Sequence, residues 1–463
     1  MEEKNKEAQK LELKKVLSFW MIWGIAVGAV VGDGIFTFTG YAVASAGSSV
    51  IIAYLIAGIT QMALMLSFGE LVVWKPSAGG PSIWVKELLG EKWELVSSVS
   101  YSIGWIIAGG STGLATGTYV YWLLDYAGIH LGNITLWVTV FAILFNVIFA
   151  IMNILGVDIA AKAQLIMVLF LVAIMVAYAA FATPHINFSY FKENFMPNGF
   201  FGFLAAIPIG VYAYMGASTI IFSGEEAKRP IDISRALFWS SLTFIILYSW
   251  DLVCAVGTIP YNEVVVFYQA LYSTSAERLW GPAGGLIITF GAWLAAATCI
   301  LMGTMYQPPR NLYDLSRRGY KVPKWWGYLH PKYKTPTYAT LFVLVISIIL
   351  IILGAMAGQT TVYAMLGYSL VWAWAVSWIF TLAAAIQLRK KHKDVIEKLP
   401  WKVPLWPLTP AFAVISLGLI FFAMILDMFL SYGALTAFVT ILGNLTWTIL
   451  LIIATKYIIP KNK

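Results

Sequence analysis

Long apolar runs alternate along the chain with short polar stretches rich in Gly and Pro, and the pattern recurs from Val16 to Ile459. A helix crosses a hydrocarbon core of about 30 Å with roughly 20 residues, whereas a membrane strand needs only about 9–11. In lipid, only helices and closed barrels satisfy every backbone group. Runs of this length therefore predict helices. Dividing them at charged or Gly/Pro-rich stretches gives twelve, at 17–46, 49–73, 95–126, 133–153, 161–183, 200–226, 236–258, 282–307, 337–357, 361–388, 409–430 and 434–456. The pattern predicts an all-α polytopic membrane protein with polar tails at 1–16 and 457–463.

Composition agrees. Of 463 residues, 60% are hydrophobic and 11% charged, against about 25% charged in a soluble domain. Soluble enzymes, disulfide scaffolds and disordered chains are excluded. Cys254 and Cys299 both lie inside apolar runs, so neither a disulfide framework nor a metal set is predicted. Met1 to Lys15 alternates Lys with Glu, unlike a signal peptide. The net charge of +8 is explained by placement. With a cytoplasmic N-terminus, 28 of the 30 Lys and Arg residues fall on the inner side, and only Lys192 and Arg278 lie outside. That is an orientation signal and not a nucleic-acid surface. The basic stretches 308–336 and 388–408 are expected to anchor against anionic headgroups.

Two spans carry breaks. Gly32-Asp33-Gly34 falls where the first helix reaches the bilayer centre, and Gly28 and Gly40 flank it. Each interior glycine weakens a helix by about 1 kcal/mol. Span six has a matching weak point at Pro208, Gly210 and Gly216, with Tyr212 and Tyr214 between. Interrupted helices at corresponding positions of two halves predict an inverted repeat of five plus five, 17–183 and 200–388, with helices 409–456 outside it.

At these residues the chain resembles the amino acid–polyamine–organocation (APC) superfamily of secondary transporters. Gly28 through Phe36 is similar to the family's G-x-G-[IV]-F break. Gly69-Glu70-Leu71 with Pro76 to Gly80 is similar to A-E-L…P-x-A-G-G. Gly216 through Ala236, including Glu225-Glu226 and Pro230, resembles G-(x8)-E-E-x-K-N-P…I-P-R-A. Arg310 through Pro323 resembles S-R-x-L-Y-A-x-A-R-D-G-x-x-P. The resemblance implies the five-plus-five repeat of the LeuT-like fold and alternating access around a midplane site. It implies a substrate-binding set of Val31, Gly32, Asp33, Gly34 and Ile35 with Ile209, Gly210, Tyr212, Ala213, Tyr214 and Gly216. In that family, amides at the first break meet a substrate carboxylate. Carbonyls, here those of Ile209 and Gly210, receive the amino group, and an aromatic, here Tyr212, caps the pocket. Helix N-termini do attract anions, and an aromatic face covers a cation.

Asp33 departs from the family's small neutral residue. It is read either as an N-cap or as a midplane carboxylate that takes up a transported proton or pairs with a cationic substrate. Asp251, well inside span seven, is the second proton-coupling candidate. Glu70, Glu225, Glu226 and Tyr212 form the gate and cytoplasmic-network set. Glu70 is expected to pair within 74–94 or 227–235, and Glu225 and Glu226, beside Lys228 and Arg229, to form an inner gate or salt-bridge network. Asp427 is read as interfacial. The lysine that some relatives carry in span five falls at Leu171, and a frequent acid in span six at Ser218. Pro308-Pro309 is expected to stop span eight. Trp105, Trp372 and Trp374 are read as core. The function expected is proton-coupled symport or exchange of an amino acid or small organic amine at the plasma membrane, with sodium coupling still open. A polyamine or cationic-amine carrier, and a non-transporting sensor or channel, are the alternatives. No catalytic set, cofactor motif or metal site is found, which argues against an enzyme.

Overall fold

A computed structural model describes residues 13–32, 34–267, 270–356 and 359–460. Among these residues every regular element is helical, and one isolated parallel bridge joins Leu17 and Ala227. Ten helical stretches are long and apolar enough to cross a membrane, which makes this a multi-pass membrane protein. One stretch, Phe19–Trp74, takes in the first two predicted spans. The third predicted span is the helix Glu91–Tyr126, whose Gly, Ser and Thr content keeps it out of that ten.

The first span is α1 (Phe19–Val30), a π-helical turn (Gly34–Phe38) and α2 (Thr39–Ala46). Then follow α3 (Val50–Trp74), α4 (Pro81–Leu89), α5 (Glu91–Tyr126), α6 (Ile134–Leu155) and α7 (Val157–Ala182). Asn133 caps α6, its side chain accepting from the Leu136 N–H at 3.1 Å, which satisfies one of the donors orphaned at a helix start. The second half holds α8 (Gly199–Tyr214), α9 (Pro230–Thr258), α10 (Pro282–Cys299), α11 (Gln307–Arg317), α12 (Thr337–Met356) and α13 (Gln359–Lys391). The last helical run, α14 (Leu408–Ile458), turns at Gly433, whose φ is 79°.

α5, rich in Gly, Ser and Thr, is an interior helix packed on α13, α6, α12 and α10. Its small residues permit this. A Cβ on Gly117 would stand 2.1 Å from the Val138 carbonyl oxygen, and one on Gly104 would strike the Trp374 ring. Close approach through small residues substitutes for the hydrophobic drive that lipid removes. Polarity along α5 thus reports an interior helix rather than a water-facing one.

The double proline does not end a helix. Span eight leaves α-geometry earlier, in a π-helical turn over Ile300–Thr304, and Pro308 and Pro309 occupy the first turn of α11. There the missing N–H groups are ones that no helix would use.

Candidate functional site

The two interruptions meet in the middle of the bundle. α1 ends at Val30, and Val31 leaves the helix at φ −74°, ψ 87°. The last four carbonyls of α1 all find donors. Val27 accepts from the Val31 N–H at 2.8 Å, Gly28 and Ala29 from the Cys299 thiol at 3.3 and 3.5 Å, and Val30 from the Tyr248 hydroxyl at 3.1 Å. A buried helix end thereby keeps its acceptors satisfied.

Of the three residues that marked the second break, Pro208, Gly210 and Gly216, only Gly216 stands at it. α8 runs unbroken through Pro208, Ile209 and Gly210 to Tyr214, the chain turns extended at Met215, and Gly216 sits at φ 128°. Ile209 and Gly210 are therefore inside a helix, not at freed carbonyls. Gly210 is a packing glycine against Tyr54 and Ala57. Gly216 is required twice over, by its backbone angle and because a Cβ there would lie 1.9 Å from the Ala29 oxygen. Gly34 likewise packs on Ala213 and the Tyr212 ring.

Around the junction is a cavity of about 30 Å³, lined by residues that include Val30, Gly32, Gly34, Trp105, Tyr212, Met215, Cys299 and Trp374. That is room for one or two waters. Trp105 and Trp374 thus line this space rather than serving only as core, with ring centroids 4.8 Å apart and the Trp374 Nε1 donating to the Tyr101 carbonyl at 3.0 Å. Trp372 points elsewhere and donates to Thr448 at 3.1 Å. Ser218 accepts from Trp378 Nε1 at 3.3 Å and lies 2.6 Å from the Tyr101 hydroxyl. Of the other predicted binding residues, Val31, Ile35, Ala213 and Tyr214 are buried beside the breaks. Asp33 lies outside the described residues.

On the other side of Tyr212 is a larger cavity of about 350 Å³. Phe38, Tyr41, Pro208, Ile209, Tyr368 and Asp427 are among its walls, and the Phe38 and Tyr212 rings meet edge to face at 5.1 Å. Asp427, read as interfacial, is buried within the protein. It is 3% exposed and accepts a hydrogen bond from the Tyr368 hydroxyl.

The end that carries the basic loops is closed by ion pairs. Arg310 and Glu226 are both fully buried and bond through two contacts at 3.1 Å. Tyr306 donates to the same carboxylate at 2.6 Å, and the Arg310 guanidinium stacks over its ring at 3.8 Å. Glu225 pairs with Arg317, which also binds Asp314 at 2.8 Å. Arg318 joins Asp314 to Glu94. Burial, together with the Glu94 carboxylate beside it, raises the Tyr320 hydroxyl's pKa above its usual value. Glu70 takes Arg389 and the Val403 N–H, the latter at 2.7 Å. Lys228 and Arg229 do not hold Glu225 or Glu226, since Arg229 bonds Asp232 at 2.9 Å. Glu70 reaches past both predicted loops. Arg310, Arg317, Arg318 and Arg389 serve this network rather than the headgroups. The strongly amphipathic run Gln307 to Leu315 was the signal that 308–336 begins with a buried helix.

Asp251 is 3% exposed, and its Oδ1 has no hydrogen-bond partner among the described residues. It faces a gap of about 10 Å³ among Ile35, Phe36, Tyr178 and Tyr272. Leu171 is buried and apolar. No cluster of metal-binding side chains occurs among the described residues, and neither cysteine is in a disulfide.

A family model described as amino acid permease matches residues 17–457. The chain is 26% identical over 419 residues to the branched-chain amino acid permease of Bacillus subtilis, covering 87% of this chain and 86% of that one. It is 24% identical to the serine/threonine exchanger of the same organism, covering 87% and 89%. It is 23% identical to that organism's gamma-aminobutyric acid permease, covering 93% and 92%.

Proposed function

The chain belongs to the amino acid permease family, whose members are transporters and not enzymes, and from that premise we propose that it carries an amino acid or small organic amine across the plasma membrane by alternating access. The observation that carries this reading is the junction of two interrupted helices at a small cavity. A larger cavity adjoins it on one side and buried ion pairs close the other. Freed backbone groups at such a junction are what a zwitterion needs, since an α-carboxylate seeks amides and an ammonium seeks carbonyls or rings. The relatives named above handle branched-chain amino acids, serine or threonine, and gamma-aminobutyric acid. Their side chains differ, but every one of these substrates offers an ammonium and a carboxylate.

The proposal includes twelve spans in a five-plus-five inverted repeat, both termini cytoplasmic. Packing supports the repeat through mirrored pairs. Span three packs on ten and span eight on five; span one packs on seven and span six on two. Exchanging the halves maps each of these pairs onto the other. The distribution of Lys and Arg supports the orientation.

Coupling to protons is assigned to Asp251, with Asp33 as companion candidate between Gly32 and Gly34. A buried carboxylate lacking a partner is expensive when charged, and a proton removes that expense. Asp251 abuts Ile35 and Phe36 of the segment that follows the first break, so its charge state bears directly on where that segment rests. In proteoliposomes, labelled leucine, threonine, gamma-aminobutyrate and arginine are offered with and without an inward proton gradient. Asp251→Asn is expected to keep exchange at equal pH while losing gradient-driven accumulation. Accumulation unchanged in both Asp251→Asn and Asp33→Asn sinks proton coupling through these residues. Absence of counterflow with all four compounds sinks transport itself and leaves a sensor.

A further inference from the structure

We infer that the 350 Å³ cavity is a binding site in its own right, which takes the ammonium group of the incoming molecule on Asp427 before Tyr212 yields to the inner cavity. The inference rests on the transport reading but uses neither helix break. Asp427 and Tyr368 belong to α14 and α13.

Size comes first. A cavity of about 350 Å³ is within the range of small-ligand sites, about 300–1,000 Å³, whereas the inner space of about 30 Å³ admits only water in this conformation. Chemistry comes second. Asp427 is the single carboxylate on the described walls, and no Lys, Arg or His shares them. The rings of Phe38, Tyr41, Tyr212 and Tyr368 line the same cavity, and the Tyr368 hydroxyl bonds the carboxylate. A cavity that joins one carboxylate to aromatic walls selects a cation and rejects an anion. An acid held within a membrane helix is costly to keep and is ordinarily there for a ligand, a proton or an ion. Position comes third. Tyr212 lines both cavities, so a molecule held by its ammonium at Asp427 already touches the ring that must move for it to go deeper.

The simplest competing role for Asp427 is structural, as a tie between α13 and α14 through the Tyr368 hydroxyl. Asparagine keeps an acceptor for that hydroxyl and loses only the charge, so the two roles separate. The probe is benzylammonium, compared with the neutral isostere benzyl alcohol, and binding is measured by calorimetry on the purified full-length protein. Benzylammonium is expected to bind about ten-fold or more tighter than the alcohol, a preference lost in Asp427→Asn and regained in Asp427→Glu. Gly367→Leu provides a second route that spares the acid. Gly367 lines the cavity, and among the described residues a Cβ there would meet only the Tyr212 ring, at 3.9 Å; the leucine side chain should weaken the amine to a similar degree. Equal affinity of the amine for parent, Asp427→Asn and Gly367→Leu overturns the site. Amine binding that follows this pattern in a protein showing no counterflow supports the cation site and overturns transport alone. Counterflow intact with no amine preference overturns the site alone.

Discussion

The two ends of the helix bundle are closed by different physics. At the end bearing the basic loops, Arg310 and Glu226 are sealed together at 0% and 1% exposure, with Glu225, Asp314, Arg317, Arg318, Glu94, Glu70 and Arg389 arranged around them. At the other end there is a cavity, and Tyr212, edge-on to Phe38, lines both it and the junction beneath. A buried ion pair is strong only while both partners are present. A ring contact contributes about 0.5–1.5 kcal/mol beyond burial and tolerates sliding. The molecule is therefore captured in a conformation that is shut firmly toward its basic end and lightly toward the other. Ions can lock and unlock as a unit, while an aromatic lid is suited to frequent opening.

The sharpest way to break the comparison is to remove half of the sealed pair. Arg310→Met strands the Glu226 carboxylate and is expected to destabilise the protein by about 3–5 kcal/mol, read as a fall in melting temperature in detergent. Adding Glu226→Gln should recover most of the loss, because the charge no longer needs a partner. Failure of the double variant to recover would mean that Arg310 acts through packing on Tyr306. The lid offers the next test. In a Cys254→Ser background, Tyr212→Ala should let an impermeant maleimide added from the side of the larger cavity reach Cys299 roughly ten-fold faster, equivalent to about 1.4 kcal/mol of gating. An unchanged rate would show that the barrier lies elsewhere. The smallest effect is expected from the exposed pair Lys75–Glu87, each side chain 39% exposed. Glu87→Gln should shift stability by no more than about 1 kcal/mol, and a large loss there would erase the distinction between buried and surface ions.

Much of this architecture is legible along the chain because it is local. Hydropathy set the helix positions, and the Gly32–Gly34 cluster marked the first break, since both signals are carried by adjacent residues. The second break was drawn too wide for an instructive reason. Glycine that permits close packing, as at Gly210 against Tyr54, and glycine that permits a positive φ, as at Gly216, look identical in sequence. Only the neighbour that comes close distinguishes them. The ionic partners were missed because they are remote: Glu226 and Arg310 are 84 positions apart, and Glu70 and Arg389 are 319. Asp427 reads as an acid near a helix end until the fold places Tyr368 beside it. The carboxylates were visible as costly residues, but what each faces is a property of the folded bundle.

The isolated bridge at the start of the chain has a mechanical meaning. Val16 and Leu17 donate to the Glu226 carbonyl, and Lys228 donates back to Leu17, each at 2.9 Å. Some twenty ångströms along the helix axis by the ~1.5 Å rise per residue, α1 is joined again to the same partner, where Gly216 presses on Ala29. Two attachments at opposite ends of a rod fix its angle as well as its place. The first half of span one and the stretch after the second break are thus splinted at two points, and in the proposed alternating access they should swing together.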